Sequence, residues 1–271
     1  MIPDAGTDPV TVAYQRLRTA AQTRRPCAPV RDLIGPNDEA LAYAVQHKLT
    51  DARIRNGRKV VGRKVGLTST SVQRQLGVDR PDFGVLLDDM MCRESDPIDL
   101  RRLLQPRIEA EIAFILLDDL TDPQATAATV RPRVAYAVAA LEIVDSRIAD
   151  WDITFADTVA DNGSSGLFVL GSNRVPIDDV DTAAVQMSMS VNGTQASSGS
   201  GAACLGDPLH ALAWLARTAI AHGDPLCAGQ VVLSGALGPM VPVTSAVHVR
   251  ADITGLGAVE TTFTTATEGL R

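Results

Sequence analysis

The spacing of apolar residues changes character as the chain proceeds. Residues 9–25, PVTVAYQRLRTAAQTRR, repeat apolar side chains at helical intervals, with Pro9 near the start and arginines in the last turn, which predicts a helix. Residues 36–57, PNDEALAYAVQHKLTDARIRNG, repeat the pattern, with Asn37 as the expected N-cap and Asn56-Gly57 as the stop. After residue 57 the period shortens. RKVVGRKVGLTS (58–69) predicts a strand running into a glycine turn, STSVQRQLGV (69–78) a short helix capped by serine or threonine, and DFGVLL (82–87) a short strand.

From about residue 107 strands dominate. RIEAEIAFILL, VAYAVAALEIVDSR and GLFVLGS are strand-like, and AVQMSMSVNGTQASSGSG predicts a hairpin turning at Asn192-Gly193. DPLHALAWLARTAIAHG predicts an amphipathic helix capped by Asp207 and closed by Gly223. GQVVLSGAL, SAVHVRADI and AVETTFTTA follow as closing strands. No regular βαβ alternation and no solenoid repeat is present. The expected class is α+β, with a mostly antiparallel or mixed sheet. A helical N-terminal segment (residues 1–57) precedes a strand-rich domain (58–271).

Composition narrows the function. The chain of 271 residues is long enough to bury a core, and its 45% apolar and 21% charged residues are ordinary. A net charge of -7 argues against a nucleic-acid partner, and no apolar run approaches the roughly 20 residues of a membrane span. MIPDAGTDPV lacks a basic and an apolar leader region, so no secretion signal is expected, and the sequons at Asn162 and Asn192 read as chance matches. Cys27, Cys92, Cys204 and Cys227 lie far apart without a C-x-x-C pair, which suits buried apolar cysteines in a reduced, cytoplasmic protein. Only three of the 25 basic residues are lysines (Lys48, Lys59, Lys64), and only seven of the 32 acids are glutamates. A lysine or glutamate in an apolar setting therefore stands out.

QPRIEAEIAF does just that. Two residues apart on a strand, Glu109 and Glu111 share one face while Ile108, Ala110 and Ile112 take the other. Paired carboxylates away from water cost several kcal/mol each unless neutralised. A third, Glu142, sits in AALEIVDSR. Three carboxylates without nearby histidine or cysteine make an all-oxygen set suited to magnesium or manganese. The competing reading puts Glu109 and Glu111 on an edge strand, facing solvent or pairing with arginines such as Arg107. Lys64, in GRKVGLTS, precedes a turn whose amides favour an anionic substrate group. In an apolar pocket beside a cation its pKa should fall toward neutrality, making it a base; otherwise it is a surface lysine snorkelling off its strand.

Other motifs carry less. PDFG at 81–84 lacks the rest of a kinase set, GSGAACLG only half matches a dinucleotide fingerprint, and Ser234 in LSGALG is not a nucleophile elbow. The four histidines share no spacing suited to a metal or a triad, and His210 and His222 are expected to be structural or exposed.

Taken together, GRKVGLTSTSVQRQLGVDRPDFGVLLDDM, QPRIEAEIAF, LEIVDSRIADW, DTVADNGSSG and GQVVLSGALGPMVPV resemble the 2-hydroxypenta-2,4-dienoate (2-keto-4-pentenoate) hydratases, from the hydratase/decarboxylase branch of the fumarylacetoacetate hydrolase superfamily. The likeness spans about residues 30–265. It implies a mixed β-roll or barrel core with flanking helices, and a divalent Mg2+ or Mn2+ held by Glu109, Glu111 and Glu142. It implies Lys64 and Asp82 as proton-shuttling residues, with Leu67, Thr68, Ser69 and Ser234 holding the substrate carboxylate. The implied reaction adds water to a 2-hydroxy-2,4-dienoate from meta-cleavage of aromatic rings or steroids, giving 4-hydroxy-2-oxopentanoate. One departure is Gly163 in DNGSSG, where alanine is expected, which should loosen the loop. A homo-oligomer is implied, and docking to a decarboxylase or the downstream aldolase is compatible with activity. The alternatives are 2-oxo-3-hexenedioate (4-oxalocrotonate) decarboxylase, carbon–carbon hydrolysis of acylpyruvates, which no histidine near the acidic motifs supports, and a non-catalytic scaffold subunit.

Overall fold

The computed structural model describes residues 8–265 apart from 70–72, 74–77 and 79. The N-terminal periodicity is realised as α1 (Pro9–Thr23) and α3 (Glu39–Arg55), joined through the single turn α2 (Arg31–Ile34). Carboxylates cap both long helices: Asp8 accepts from the Val10 amide and Asp38 from the Leu41 amide. The cap is thus Asp38 rather than Asn37, because the chain becomes helical at Glu39 and the cap is the residue just before. Arg24, at φ 54°, terminates α1, so Arg24 and Arg25 lie past the last turn instead of within it. Asn56 and the left-handed Gly57 close α3 as expected.

Thirteen strands follow among the described residues: β1 (Val60–Gly66), β2 (Asp82–Leu87), β3 (Met91–Cys92), β4 (Ile98–Asp99), β5 (Pro106–Leu116), β6 (Val134–Asp145), β7 (Ser165–Leu170), β8 (Gln186–Val191), β9 (Thr194–Ser200), β10 (Val231–Leu233), β11 (Val241–Pro242), β12 (His248–Ile253) and β13 (Gly257–Thr264). Three more helices are α4 (Ala127–Val130), α5 (Phe155–Ala160) and α6 (Pro208–Ala221). The short helix expected over 69–78 falls largely outside the described residues. The two-residue strands escape sequence reading because so short a run shows no period.

One sheet runs β2-β1-β10-β5-β6-β7-β3, with β11 also on β5; the other runs β4-β13-β12-β8-β9. The pairs β1–β10, β3–β7 and β4–β13 are parallel and the rest antiparallel, which is the mixed sheet expected. The first sheet curls into a half-barrel and is buried on both faces. One face, with Ile108, Ala110, Ile112, Leu141 and Ile143, joins an apolar core with α1, α3, α6 and the second sheet. The other face carries a smaller cluster of Ala113, Val138, Ala140, Phe168, Val231 and Leu233. By strand alternation, Glu109, Glu111 and Glu142 belong to that second face. The N-terminal helices are fastened to the sheet: Gln46 donates to the carbonyls of Phe83 and Val159.

All four cysteines are free, but only Cys204 is buried; Cys27 and Cys92 are half-buried and Cys227 is exposed. The expectation of four buried cysteines is therefore corrected, since Cys227 falls in a surface loop after α6. No helix among the described residues is long and apolar enough to cross a membrane.

Asp207 ties α6 to the rest, accepting at 2.9 Å from the Leu209 amide and at 2.6 Å from the Thr182 hydroxyl. Asp207→Ala should cost about 1–2 kcal/mol in urea unfolding, and Asp207→Asn, which keeps an acceptor, should recover most of it. An unchanged midpoint in the alanine variant would contradict the capping role.

Candidate active site

The site is built on β5, an interior strand flanked by β10 and β6. The register sets Glu109 directly opposite Glu142 and Glu111 opposite Ala140. Three carboxylates consequently converge on one face of the sheet, only 7%, 0% and 1% exposed for Glu109, Glu111 and Glu142. One oxygen from each lies within 4.8 Å of the others. The edge-strand alternative is excluded, and Arg107 does not pair with them: its guanidinium stacks on Trp151 at 4.4 Å.

The local partners do not neutralise this charge. Glu111 Oε2 accepts from the Gly235 amide at 2.8 Å, and Lys64 Nζ stands 3.6 Å from Glu142 Oε1. Glu111 Oε1 and both Glu142 oxygens make no hydrogen bond among the described residues. Burial raises the pKa of all three acids. Glu109 reaches about 7, through burial first and then the Glu142 charge. Glu111 is pushed well above the usual range by burial, Glu142 and Glu109, and Glu142 is raised mainly by burial. Orphaned buried oxygens in an all-carboxylate set are what a hard divalent cation satisfies, so the residues present fit such an ion.

Lys64, on β1, is 4% exposed. Burial pulls its pKa down, but Glu142, Asp82, Glu109 and Glu111 push it further up, and the net direction is upward. Without an ion in the triad the four carboxylates outweigh desolvation; the expected fall toward neutrality concerns the site with a cation bound, where the carboxylate charge is spent on that ion. Asp82, at the start of β2 and paired with Gly66 at the end of β1, is buried beside Lys64. Burial raises its pKa; one oxygen accepts from the Thr158 hydroxyl at 3.3 Å and the other makes no hydrogen bond among the described residues.

The remaining expected residues fall nearby, in different settings. Thr68 is buried against Gly235, whose φ of +108° and missing side chain admit it. The two therefore join the 67–69 turn to Glu111. Leu67 is left-handed at φ 56°, its carbonyl accepting from the Gln73 side chain, and the Ser69 carbonyl accepts from the Gln73 amide. Ser234 is fully buried on the loop after β10; its amide bonds Ile112 and its hydroxyl lies 3.4 Å from the Gly235 carbonyl.

Sequence reading overlooked what backs Lys64. Asn162, Gly163 and Ser164 are successive left-handed residues, at φ 58°, 60° and 54°. The Asn162 amide brackets Val85, accepting from its N–H at 2.8 Å and donating to its carbonyl at 2.9 Å. Arg147 holds the turn from behind through the side chain and carbonyl of Asp161. Such strained backbone persists only where its surroundings impose it. A Cβ on Gly163 would lie 2.7 Å from Lys64 Cε and 3.1 Å from Nζ. The missing methyl thus makes room for the lysine rather than merely loosening a loop. The only signal in the sequence is the unusual glycine in DNGSSG.

Comparison with known proteins gives the family and its relatives. The family model for the fumarylacetoacetate (FAA) hydrolase C-terminal domain matches residues 53–264. A 2-keto-4-pentenoate hydratase of Burkholderia vietnamiensis is 54% identical over 249 residues, covering 92% of this chain and 95% of that protein. A 2-hydroxyhexa-2,4-dienoate hydratase of Comamonas testosteroni is 42% identical, covering 92% and 96%. Among solved structures, the 4-oxalocrotonate decarboxylase of Pseudomonas putida G7, complexed with magnesium and adipate, superposes with a TM-score of 0.90 at 30% identity, covering 94% of this chain and 97% of that one.

Two outcomes follow from the geometry. Acids that bind protons more tightly when folded make stability fall as pH rises, between their unfolded value near 4 and the folded value. For Glu109, at about 7, and Asp161, raised to about 6 chiefly by burial, this window spans mildly acid to neutral pH. Metal-free protein should therefore melt at lower temperature as pH rises through this window, and the gain from added Mg2+ should widen over it; a gain independent of pH would contradict the carboxylate assignment. Separately, Gly163→Val, which puts a branched side chain against Lys64 Cε and Nζ, should lower turnover several-fold without changing Mg2+ affinity measured by calorimetry. Unchanged turnover would mean that Lys64 has space to spare.

Proposed function

The chain belongs to the fumarylacetoacetate hydrolase family, and we propose that it is a hydro-lyase adding water to 2-hydroxypenta-2,4-dienoate to give 4-hydroxy-2-oxopentanoate. The observation that carries this reading is the buried triad of Glu109, Glu111 and Glu142, with oxygens that make no hydrogen bond among the described residues, facing Lys64. The named hydratases at 54% and 42% identity support the substrate class more directly than the decarboxylase at 30%. The magnesium in that decarboxylase supports Mg2+ here, with Mn2+ as the other ion suited to an all-oxygen set.

A divalent ion held by the three glutamates supplies Lewis acidity toward the oxygens of a 2-oxo acid. The chain's own residues manage protons and orientation. The 2-hydroxy proton must leave and a proton must arrive at carbon 5, giving the 2-oxo-3-enoate; water then adds hydroxide at carbon 4 and a proton at carbon 3. Lys64, buried 3.6 Å from Glu142, is the group suited to exchange a proton with the substrate. Asp82, buried beside it with a raised pKa, is suited to receive one. Thr68 and the 67–69 turn, joined to Glu111 through Gly235, form the side from which the substrate carboxylate is held, with Ser234 next to them.

Loss of the dienoate's ultraviolet absorption should require Mg2+ or Mn2+ and stop with chelator, while 2-oxo-3-hexenedioate should release little carbon dioxide; the opposite preference would make the chain a decarboxylase. Glu109→Gln should fold but show no turnover and weakened Mg2+ binding. Lys64→Met should bind Mg2+ yet lose at least about a hundred-fold in turnover. Near-normal turnover in either variant would overturn its assignment.

A further inference from the structure

We propose that Thr158 is a positioning residue for the reaction: its hydroxyl turns the Asp82 carboxylate so that one oxygen, Oδ1, stays free and faces Lys64 across the bare Cα of Gly66. The inference rests on the hydratase reading, in which Asp82 takes the proton lost by the substrate's 2-hydroxyl group. The electron pair of that O–H bond stays on the substrate oxygen, and the carboxylate becomes a carboxylic acid.

Gly66 marks the meeting point. A Cβ there would lie 2.1 Å from Asp82 Oδ1 and 3.1 Å from Lys64 Nζ, so both groups reach over the same backbone atom. Lys64 Nζ pairs with Glu142, and Asp82 Oδ1 makes no hydrogen bond among the described residues. A buried acceptor left open is costly, which marks it as reserved for a partner that arrives with the substrate.

The backbone around Asp82 is already fixed. The β1–β2 ladder sets Gly66 opposite Asp82, and Gln46 donates to the carbonyl of the next residue, Phe83. What remains free is rotation of the carboxylate about its last bond, where the wells are broad. The Thr158 hydroxyl donates to Oδ2 at 3.3 Å and is the one side-chain group among the described residues that hydrogen-bonds this carboxylate. A threonine inside a helix commonly turns its hydroxyl back to a carbonyl of the preceding turn. Thr158, 5% exposed on α5, turns it to Asp82 instead. The helix is itself anchored: the buried Asp157 accepts from the Val30 and Arg31 amides at 2.8 and 2.9 Å, and from the Arg31 guanidinium at 2.8 Å. Further along the same segment, Gly163 lies against Lys64 Cε. Residues 157–163 therefore position both Asp82 and Lys64.

Thr158→Val keeps the size of the side chain and removes the hydroxyl, while Thr158→Ser keeps the hydroxyl. With Mg2+ present, Thr158→Val should lower kcat for the dienoate about ten-fold, while KM and the calorimetric Mg2+ affinity change by less than about two-fold. Thr158→Ser should stay within about three-fold of wild-type kcat. In an Asp82→Asn background, adding Thr158→Val should slow turnover by less than about two-fold, because the oxygen it orients is no longer a base. Near-normal kcat in Thr158→Val, an equal loss in the serine and valine variants, or the full loss repeated in the Asp82→Asn background would overturn the proposal. Where Asp82→Asn turnover falls below detection, the serine variant decides, and Thr158→Ala replaces a valine variant that does not fold. Wild-type protein that leaves the dienoate untouched but decarboxylates 2-oxo-3-hexenedioate would sink the hydratase reading alone, and the same variants are then compared on that substrate. Inertness toward both substrates would remove both.

Discussion

Mutual repulsion among Glu109, Glu111 and Glu142, confined to the dry face of a curled sheet, is the constraint around which the rest of the molecule is arranged. A buried carboxylate is tolerable when something positive or several donors face it, and here three acids share one ammonium and one backbone amide. The fold does not relieve this by opening to water, since β5 is covered on both faces and flanked by strands on both sides. A site so incompletely satisfied is poised to take up positive charge, and its donor atoms select a hard divalent ion.

The surroundings hold that arrangement in register. β5 and β6 fix Glu109 and Glu142 as direct cross-strand neighbours, so their separation depends on a long antiparallel ladder rather than a loop. Lys64 comes from β1, which reaches β5 only through the short β10. It is therefore backed by a separate device, the left-handed turn at Asn162–Ser164, clamped by Arg147 and Asp161 behind and by Val85 in front. The neighbouring Arg63 points the opposite way from the same strand, so one short segment places a basic side chain on each side of the sheet.

Much of this was legible in the residues. The period-two apolar alternation around Glu109 and Glu111 gave a strand with its acids on one face, and the scarcity of lysine singled out Lys64. The long helices and the hairpin at Asn192-Gly193 carried their caps and turns openly. What stayed hidden depended on contacts between distant segments. Nothing local in DNGSSG says that its turn presses on Lys64, nor that Gly235 serves Glu111 with its amide and Thr68 with its missing side chain. The crowding around Lys64 was hidden for the same reason: the sequence suggests burial, but only the fold gathers four carboxylates around one lysine. Asn37 was passed over for Asp38 by a one-residue shift in helix start, which spacing alone does not resolve.

The central claim is that these three glutamates converge on one divalent ion. Its most direct test is a crystal structure of the protein soaked in Mn2+, with diffraction recorded at the manganese absorption edge. The expected result is a single strong anomalous peak within coordination distance of Glu109, Glu111 and Glu142. No peak at the triad, or a peak bound by other residues while the three carboxylates pair with arginines or water, would contradict the account.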